Sequence, residues 1–526
     1  MKKMRKLLAV MLTLIMAMAM MVPAMAAGET YTITIDNNKD GHTYQAYQVF
    51  AGDLSGNVLS NITWGTGVKG EELLAALKSD STLGSSFTAC QTAADVAEIL
   101  AEFENNSANL DAFATVVGAH LSDTATNPGT WNEESKNYTI SNLPAGYYFV
   151  KDSAAVTGQD AQTKFILKLV DNTTVTPKSG TPTVDKQVHD ETADAEAGAS
   201  DGWGETADHA INESFQFKLI ATIPDDANMN AYEHYYVNFV DTWSAGVTFE
   251  KIDSVTVNET VLNEEQYTVT TEDPTSGTSM NITINDIIPY LGEGNDLAGS
   301  TVTVIYSAHL NENAYVNNTD GITENLNKVK LEFSNNPYWD GEGIPDKGET
   351  PEDTVWVFTY QVNNTKIDGK TEQQLSGAGF RLYSDENCET EIQLIYDETK
   401  QAYRPVKGEE QGVEMFSAET TGIFNIIGLD AGTYYLKETT IPAGYNEMSP
   451  NPMTVTIKAT HEETNDTTSS VTLTEDSTMQ NTIENNQGAT LPETGGMGTK
   501  IFYLAGGILA LGAGLLLVTR KRMEMR

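Results

Sequence analysis

The chain has 526 residues, enough for three or four domains of roughly 100 to 200 residues each, which excludes a single small module. Lys and Arg number 31 against 74 Asp and Glu, a formal net charge of −43, and so acidic a surface repels phosphate backbones and excludes nucleic-acid binding. Two distant cysteines, Cys90 and Cys388, exclude a disulfide framework, while 40% hydrophobic and 8% aromatic residues suffice for packed cores, so the acidity belongs to solvated surface.

At the N-terminus, Lys2, Lys3, Arg5 and Lys6 precede an apolar run from Leu7, and Ala24-Met25-Ala26 offers the small residues that a signal peptidase reads. Residues 1–26 are therefore expected to be a cleaved secretory signal. Apolar alternation with period two predicts a strand at Tyr31–Ile35, whereas Glu71–Lys78, Ala93–Phe103 and Leu110–Leu121 have helical spacing. Residues 27–177 are thus expected to form a mixed α+β domain. Strand alternation returns at Phe215–Leu219, Thr301–Tyr306, Val329–Phe333 and Met453–Ile457. Thr176–Pro182 and Gly341–Pro351 are rich in Pro, Gly, Ser and Thr, which predicts boundaries giving a middle domain, 178–350, and a third, 351–487. Most of the chain is expected to be β-sandwich. Ala145–Asp152 recurs in register as Ala431–Glu438, so related strands are expected in the first and third domains.

The segment 488–526 contains Leu491-Pro492-Glu493-Thr494-Gly495, the apolar run Ile501–Thr519, and then Arg520, Lys521 and Arg522. The run is about long enough to cross a bilayer core, with the basic cluster staying on the cytoplasmic side. This ordered triple resembles the cell-wall sorting signal of Gram-positive surface proteins. The resemblance implies that a sortase cysteine attacks the Thr494–Gly495 bond, making Thr494 an acyl donor. Each end carries a net +4, so a mature chain from Ala27 to Thr494 would carry −51.

Strand residues two apart share a face, so parity shows which polar residues point inward. In the middle domain Lys186 shares a face with Val184 and Val188, Asp241 with Tyr235, Val237 and Phe239, and Asn335 with Val329, Leu331 and Phe333. In the third domain Lys366 is in phase with Phe358, Tyr360 and Val362, Glu438 with Tyr434 and Leu436, and Asn485 with Met479 and Ile483. Burial drives an amine and a carboxyl toward their neutral forms. A neutral lysine can attack an asparagine carboxamide while a protonated carboxyl polarises its carbonyl and relays protons to departing ammonia. The same residues would also fit a buried ion pair beside a hydrogen-bonded Asn.

Tyr434-Tyr435-Leu436-Lys437-Glu438-Thr439-Thr440-Ile441-Pro442-Ala443-Gly444-Tyr445 resembles the E box of Gram-positive pilins, in which the glutamate at 438 is the catalytic acid of an intramolecular isopeptide bond. Lys366-Ile367-Asp368-Gly369, Gly377–Leu382 and Ile483–Asn486 resemble the collagen-adhesin B-type repeat, and Phe239–Thr242 with Phe333–Pro337 resemble its A-type companion. The resemblance implies tandem immunoglobulin-like β-sandwiches, with links Lys186–Asn335 assisted by Asp241 and Lys366–Asn485 assisted by Glu438. Asn336 adjoins Asn335, but parity favours Asn335. In the first domain Asp152 aligns with Glu438, yet the opening strand has no lysine, so no bond is expected there.

Val175-Thr176-Pro177-Lys178 matches the end of the pilin motif whose lysine receives the next subunit, although Thr stands for its usual Tyr, Ser follows the lysine, and the upstream Trp is absent. Lys178 is the expected acceptor, with Lys168 or a plain linker role as alternatives. The resemblance as a whole implies a major subunit of a sortase-assembled pilus. Its partners would be a pilin-specific and a housekeeping sortase, identical subunits head to tail, minor pilins and peptidoglycan; no receptor is marked. The rival expectation is a wall-anchored adhesin or minor or basal pilin that does not polymerise. No cofactor is expected and no enzyme: the seven histidines have no metal-ligand spacing, and no Ser-His-Asp or Cys-His grouping stands out.

Overall fold

The computed structural model describes residues 29–103, 107–177, 180–190, 201–226, 229, 231–271, 278–316, 325–465, 468–473, 477–488 and 497–524. The expected signal segment 1–26, Lys178, and Leu491, Pro492, Glu493, Thr494 and Gly495 lie outside the described residues. The chain divides into two compact units, 1–359 with 459–473, and 360–458 with 474–526.

In the first unit, residues 30–175 build two sheets and a helical cap. Thr30–Ile35 pairs antiparallel with Asn137–Pro144 and parallel with Thr173–Val175. Tyr44–Ser55 is central in the other sheet, between Val58–Trp64 and Gly146–Asp152. The helices occupy Gly70–Ser79, Ala93–Leu100 and Ala108–Ala119, close to the predicted spans. Thr92 starts the second of these with a capping box: its hydroxyl accepts from Asp95 N, and the Asp95 carboxylate accepts from Thr92 N. Leu73, Leu77, Phe87, Val96, Phe113 and Val117 bury the apolar helix faces against Val49, Phe50 and Phe149 of the sheet.

Residues 183–358 form a sandwich of two larger sheets. One contains, among others, Thr183–His189, Ser214–Thr222, Thr301–Leu310 and Val247–Val257 in that order. The other contains Asp353–Phe358, Leu326–Ser334, Val237–Trp243 and Ser279–Ile284. Their inward faces carry the alternating apolar residues, such as Phe217, Leu219, Val304, Val329, Leu331 and Phe239, of one continuous core. Asp353–Phe358 pairs with Leu326–Ser334, so this unit continues to Thr359 and not to the expected 350. The Gly- and Pro-rich stretch at 341–351 is a connection within it, because the buried run Thr354–Phe358 completes its sheet.

The second unit has its own two sheets. Tyr360–Asp368 lies between Ile426–Leu429 and Gln480–Asn485, and Gly432–Thr440 lies between Gly379–Tyr383 and Met453–Ile457. The repeated octet forms strands in both units. In each the hydroxyl of the tyrosine at the fourth position donates four residues back, Tyr148 to Pro144 O at 2.9 Å and Tyr434 to Asp430 O at 2.8 Å. The hairpin Ala459–Asn465 with Thr468–Leu473 groups with the first unit. Met497–Met523 is one helix, and its stretch 501–523 contains an 18-residue window of mean hydropathy 2.3. That stretch is about 35 Å long at ~1.5 Å per residue, enough for a bilayer core of ~30 Å.

Candidate functional site: three buried carboxyl groups

In each of the three domains a central strand carries a buried carboxyl group, Asp152, Asp241 or Glu438, and each of these has a different neighbour. In the middle sandwich Lys186 and Asp241 are fully buried, with Lys186 Nζ 2.6 Å from Asp241 Oδ2. Beside them stands Tyr306, whose hydroxyl is 3.3 Å from Lys186 Nζ and donates to Asp241 Oδ2 at 3.2 Å. Burial lowers the Lys186 pKa against the opposing pull of Asp241, and burial raises the Asp241 pKa against the opposing pull of Lys186. Both shifts favour the neutral amine and the protonated acid, the pair that nucleophilic attack on an amide requires.

The asparagine in reach of this pair is Asn327 and not Asn335. Asn327 Nδ2 donates to the Tyr306 hydroxyl at 2.5 Å, and its side chain is fully buried. Asn335 lies beyond the end of its strand, where its Nδ2 donates to Val156 O at 2.7 Å and its backbone carbonyl accepts from Gln162 N at 2.7 Å. Strand register explains the difference. Asp241 faces Val329 across the ladder, so Asn335 is about 20 Å further along at ~3.4 Å per residue, whereas Asn327 is about 7 Å away in the other direction. Both asparagines have the inward parity; the apolar series Val329–Phe333 extends to Asn327 as well as to Asn335. Tyr306 shares its face with Val302 and Val304, a phase that was legible in the sequence without marking it as functional. Asp241 Oδ1 and Asn327 Oδ1 are buried without hydrogen-bond partners among the described residues. Two bare acceptors of this kind are costly, and protonation of Asp241 would supply a donor.

The second unit brings its three expected residues together. Tyr360–Asp368 and Gln480–Asn485 are adjacent parallel strands, with Lys366 opposite Ile483 and Asp368 opposite Asn485. Lys366 is fully buried, and its Nζ donates to Ile483 O at 3.0 Å and Ile367 O at 3.2 Å. Burial lowers its pKa to about 8, with Glu438 pulling the other way. Glu438 bridges: Oε1 accepts from Asn485 Nδ2 at 2.7 Å, and Oε2 accepts from Met448 N at 2.8 Å. Asn485 Oδ1 is buried without a hydrogen-bond partner among the described residues.

In the first domain Asp152 is fully buried, as its alignment with Glu438 suggests, but its neighbour is His42. His42 Nδ1 lies 2.5 Å from Asp152 Oδ2, and Nε2 lies 3.0 Å from Asp160 Oδ2. Burial alone would lower the His42 pKa, yet the two carboxylates overcome it and raise it to about 9. An imidazolium therefore fills the place that a lysine occupies in the other two clusters. Its stabilisation is complete below about pH 6.5, the unfolded histidine value, and is lost as pH rises through 9. The first domain should become easier to melt between pH 7 and pH 9, and His42→Gln should flatten that dependence in a thermal-melt series; a parent profile that is already flat would contradict the pairing.

Lys168, the alternative acceptor, lies on the strand Lys164–Leu169, with its Nζ 3.3 Å from Asn57 O at the surface.

These features define a multidomain, mainly β, cell-wall-anchored surface protein. Residues 360–486 match the SpaA family, described as a prealbumin-like fold domain, and residues 483–524 match the LPXTG cell wall anchor motif. The chain is similar to the trypsin-resistant surface T6 protein of Streptococcus pyogenes serotype M6, with 23% identity over 266 residues. That alignment spans 47% of this chain and 44% of the relative. Among solved structures it is similar to the T6 backbone pilin of Streptococcus pyogenes serotype M6, with 16% identity, a TM-score of 0.48, and coverage of 89% of this chain and 100% of that one. It is also similar to the full-length major pilin SpaD of Corynebacterium diphtheriae, with 19% identity, a TM-score of 0.43, and coverage of 88% and 98% respectively.

Proposed function

We propose that the chain is the backbone subunit of a covalently polymerised surface pilus. The single observation that carries this reading is the recurrence, in two separate sandwiches, of a buried lysine, carboxyl group and asparagine. Both sets are buried in the cores of their sandwiches, so the chemistry they support is a reaction of the chain with itself. The wall-anchor motif and the similarity to a surface protein named for trypsin resistance support the same reading.

In the middle sandwich the neutral Lys186 amine attacks Asn327 Cγ. Asp241 in its acid form donates to the developing oxyanion, takes the proton released by the amine and passes it to the Asn327 nitrogen. The Nζ–Cγ bond forms, the Cγ–Nδ2 bond breaks, and one ammonia leaves. Lys366, Glu438 and Asn485 perform the same exchange in the second unit. Each bond forms once, without turnover, so the protein is structural and not an enzyme acting on other molecules.

Assembly uses Thr494 at the end of the mature chain and Lys178 between its first two domains. A pilin-specific sortase cleaves Thr494–Gly495 and joins the Thr494 carbonyl to Lys178 of the next subunit, and a housekeeping sortase attaches the last subunit to peptidoglycan. Donor and acceptor differ, so the contact is heterologous and does not close, which yields an open filament. Immunoblots of wall extracts from the native host should show a ladder of high-mass species that survives SDS. A single anchored monomer would instead identify an adhesin or minor pilin.

A further inference from the structure

Away from these clusters, three strands of the first unit bring together side chains of another kind. Asp190 directly follows Thr183–His189, Asp208 ends Thr206–Asp208, and His461 lies on Ala459–Asn465. They are 2%, 1% and 3% exposed, too deep to be surface ornament. His461 Nε2 is 3.2 Å from Asp190 Oδ2 and 3.7 Å from Asp208 Oδ2, and one donor atom from each residue lies within 4.8 Å of the others. His461 Nδ1 is 2.8 Å from Thr206 Oγ1, and the ring stacks on Phe358 at 5.8 Å, which fixes the imidazole with Nε2 toward the carboxylates.

We propose that Asp190, Asp208 and His461 bind a divalent cation of the zinc class. The donors fit on three counts. Zinc bonds of about 2.0–2.1 Å in tetrahedral geometry place neighbouring donors roughly 3.4 Å apart, between the two distances observed. One imidazole and two carboxylates are a first-row transition-metal set, whereas calcium and magnesium prefer all-oxygen shells. Two carboxylates and a neutral imidazole carry two negative charges, which a divalent ion cancels and an imidazolium would only halve. Thr206 then plays the outer role typical of metal-bound histidine, holding the second ring nitrogen.

The site would also have a mechanical consequence. Residues 459–473 are flanked in sequence by segments of the second unit yet pack with the first, so the ion would hold the hairpin to strands near Asp190 and Asp208. This is a noncovalent clasp additional to the two covalent links, and it depends on metal supply.

The test is zinc content and affinity of the folded mature chain after chelator treatment and removal of the chelator, titrated with zinc chloride. The parent should retain one zinc per chain that Asp208→Asn does not. Thr206→Val should retain it with affinity reduced about tenfold. His461→Gln repeats the comparison should Asp208→Asn fail to fold. Calcium chloride at equal concentration should not displace the zinc. Equal zinc content in the parent and both ligand variants, or no retained zinc in the parent, overturns the site and leaves His461 as a buried ion-pair partner.

Discussion

Glu438→Ala is expected to convert the second unit from trypsin-resistant to trypsin-cleavable and to lower its melting temperature by on the order of 15 °C. The substitution removes the acid that relays protons, so Lys366 and Asn485 remain separate residues. The link they would form closes a loop of more than about 100 residues, for which the chain-entropy relation developed for disulfides gives roughly 5 kcal/mol. Asn485 Nδ2 and Met448 N also lose their acceptor, and each buried orphan costs about 1–3 kcal/mol. Glu438→Gln separates these contributions, because it keeps a hydrogen-bonding side chain of similar size but removes the acid. Equal protease resistance in parent and both variants would remove the mechanical role assigned to the link.

Lys178→Ala is expected to abolish the high-mass ladder while leaving the subunit folded, secreted and wall-attached. Anchoring needs only Thr494, whereas each polymer bond needs an amine as well. Lys186 and Lys366 cannot substitute, because both are fully buried, and an acyl-enzyme must reach its nucleophile. The change in stability should stay within about 0.5 kcal/mol, as for a position that the sequence marks as a linker. Persistence of a normal ladder would transfer the acceptor role to Lys168, whose amine is near the surface.

Together the proposed links would define a load path. Tension entering at Lys178 reaches Lys186 within a few residues, crosses to Asn327, follows the chain through Asp353–Phe358 to Lys366, crosses to Asn485 and leaves at Thr494. The proposed Lys186–Asn327 link would join a strand of one sheet to a strand of the facing sheet. The proposed Lys366–Asn485 link would join adjacent parallel strands. Most of each domain is thereby excluded from the stretched chain. The first domain lies before Lys178 and outside this path, so its His42 pairing can weaken at alkaline pH without cost to the fibre.

What the sequence made legible follows from what periodicity encodes. Alternation identified inward faces, and so found Lys186, Asp241, Lys366, Glu438 and Asn485, because a polar residue in phase with Val, Leu and Phe must be buried. Alternation does not encode register between strands, which is why it could not choose between Asn327 and Asn335 once both had the inward parity. The boundary near 350 failed for a related reason: Gly and Pro mark a turn, but whether the next strand rejoins the sheet depends on long-range pairing, here between Asp353–Phe358 and Leu326–Ser334. His42 and His461 were hidden more deeply. Their carboxylate partners are distant in sequence, and a lone histidine has no spacing from which a partner can be read.

Intact mass of the folded mature chain tests the central claim most directly, since each internal link removes one ammonia and nothing else. The parent should be two ammonia molecules lighter than its sequence. Asn327→Ala and Asn485→Ala should each abolish one deficit, and Asn335→Ala should leave both. A parent at full sequence mass, or a deficit that disappears with Asn335 and survives in Asn327→Ala, would contradict the assignment.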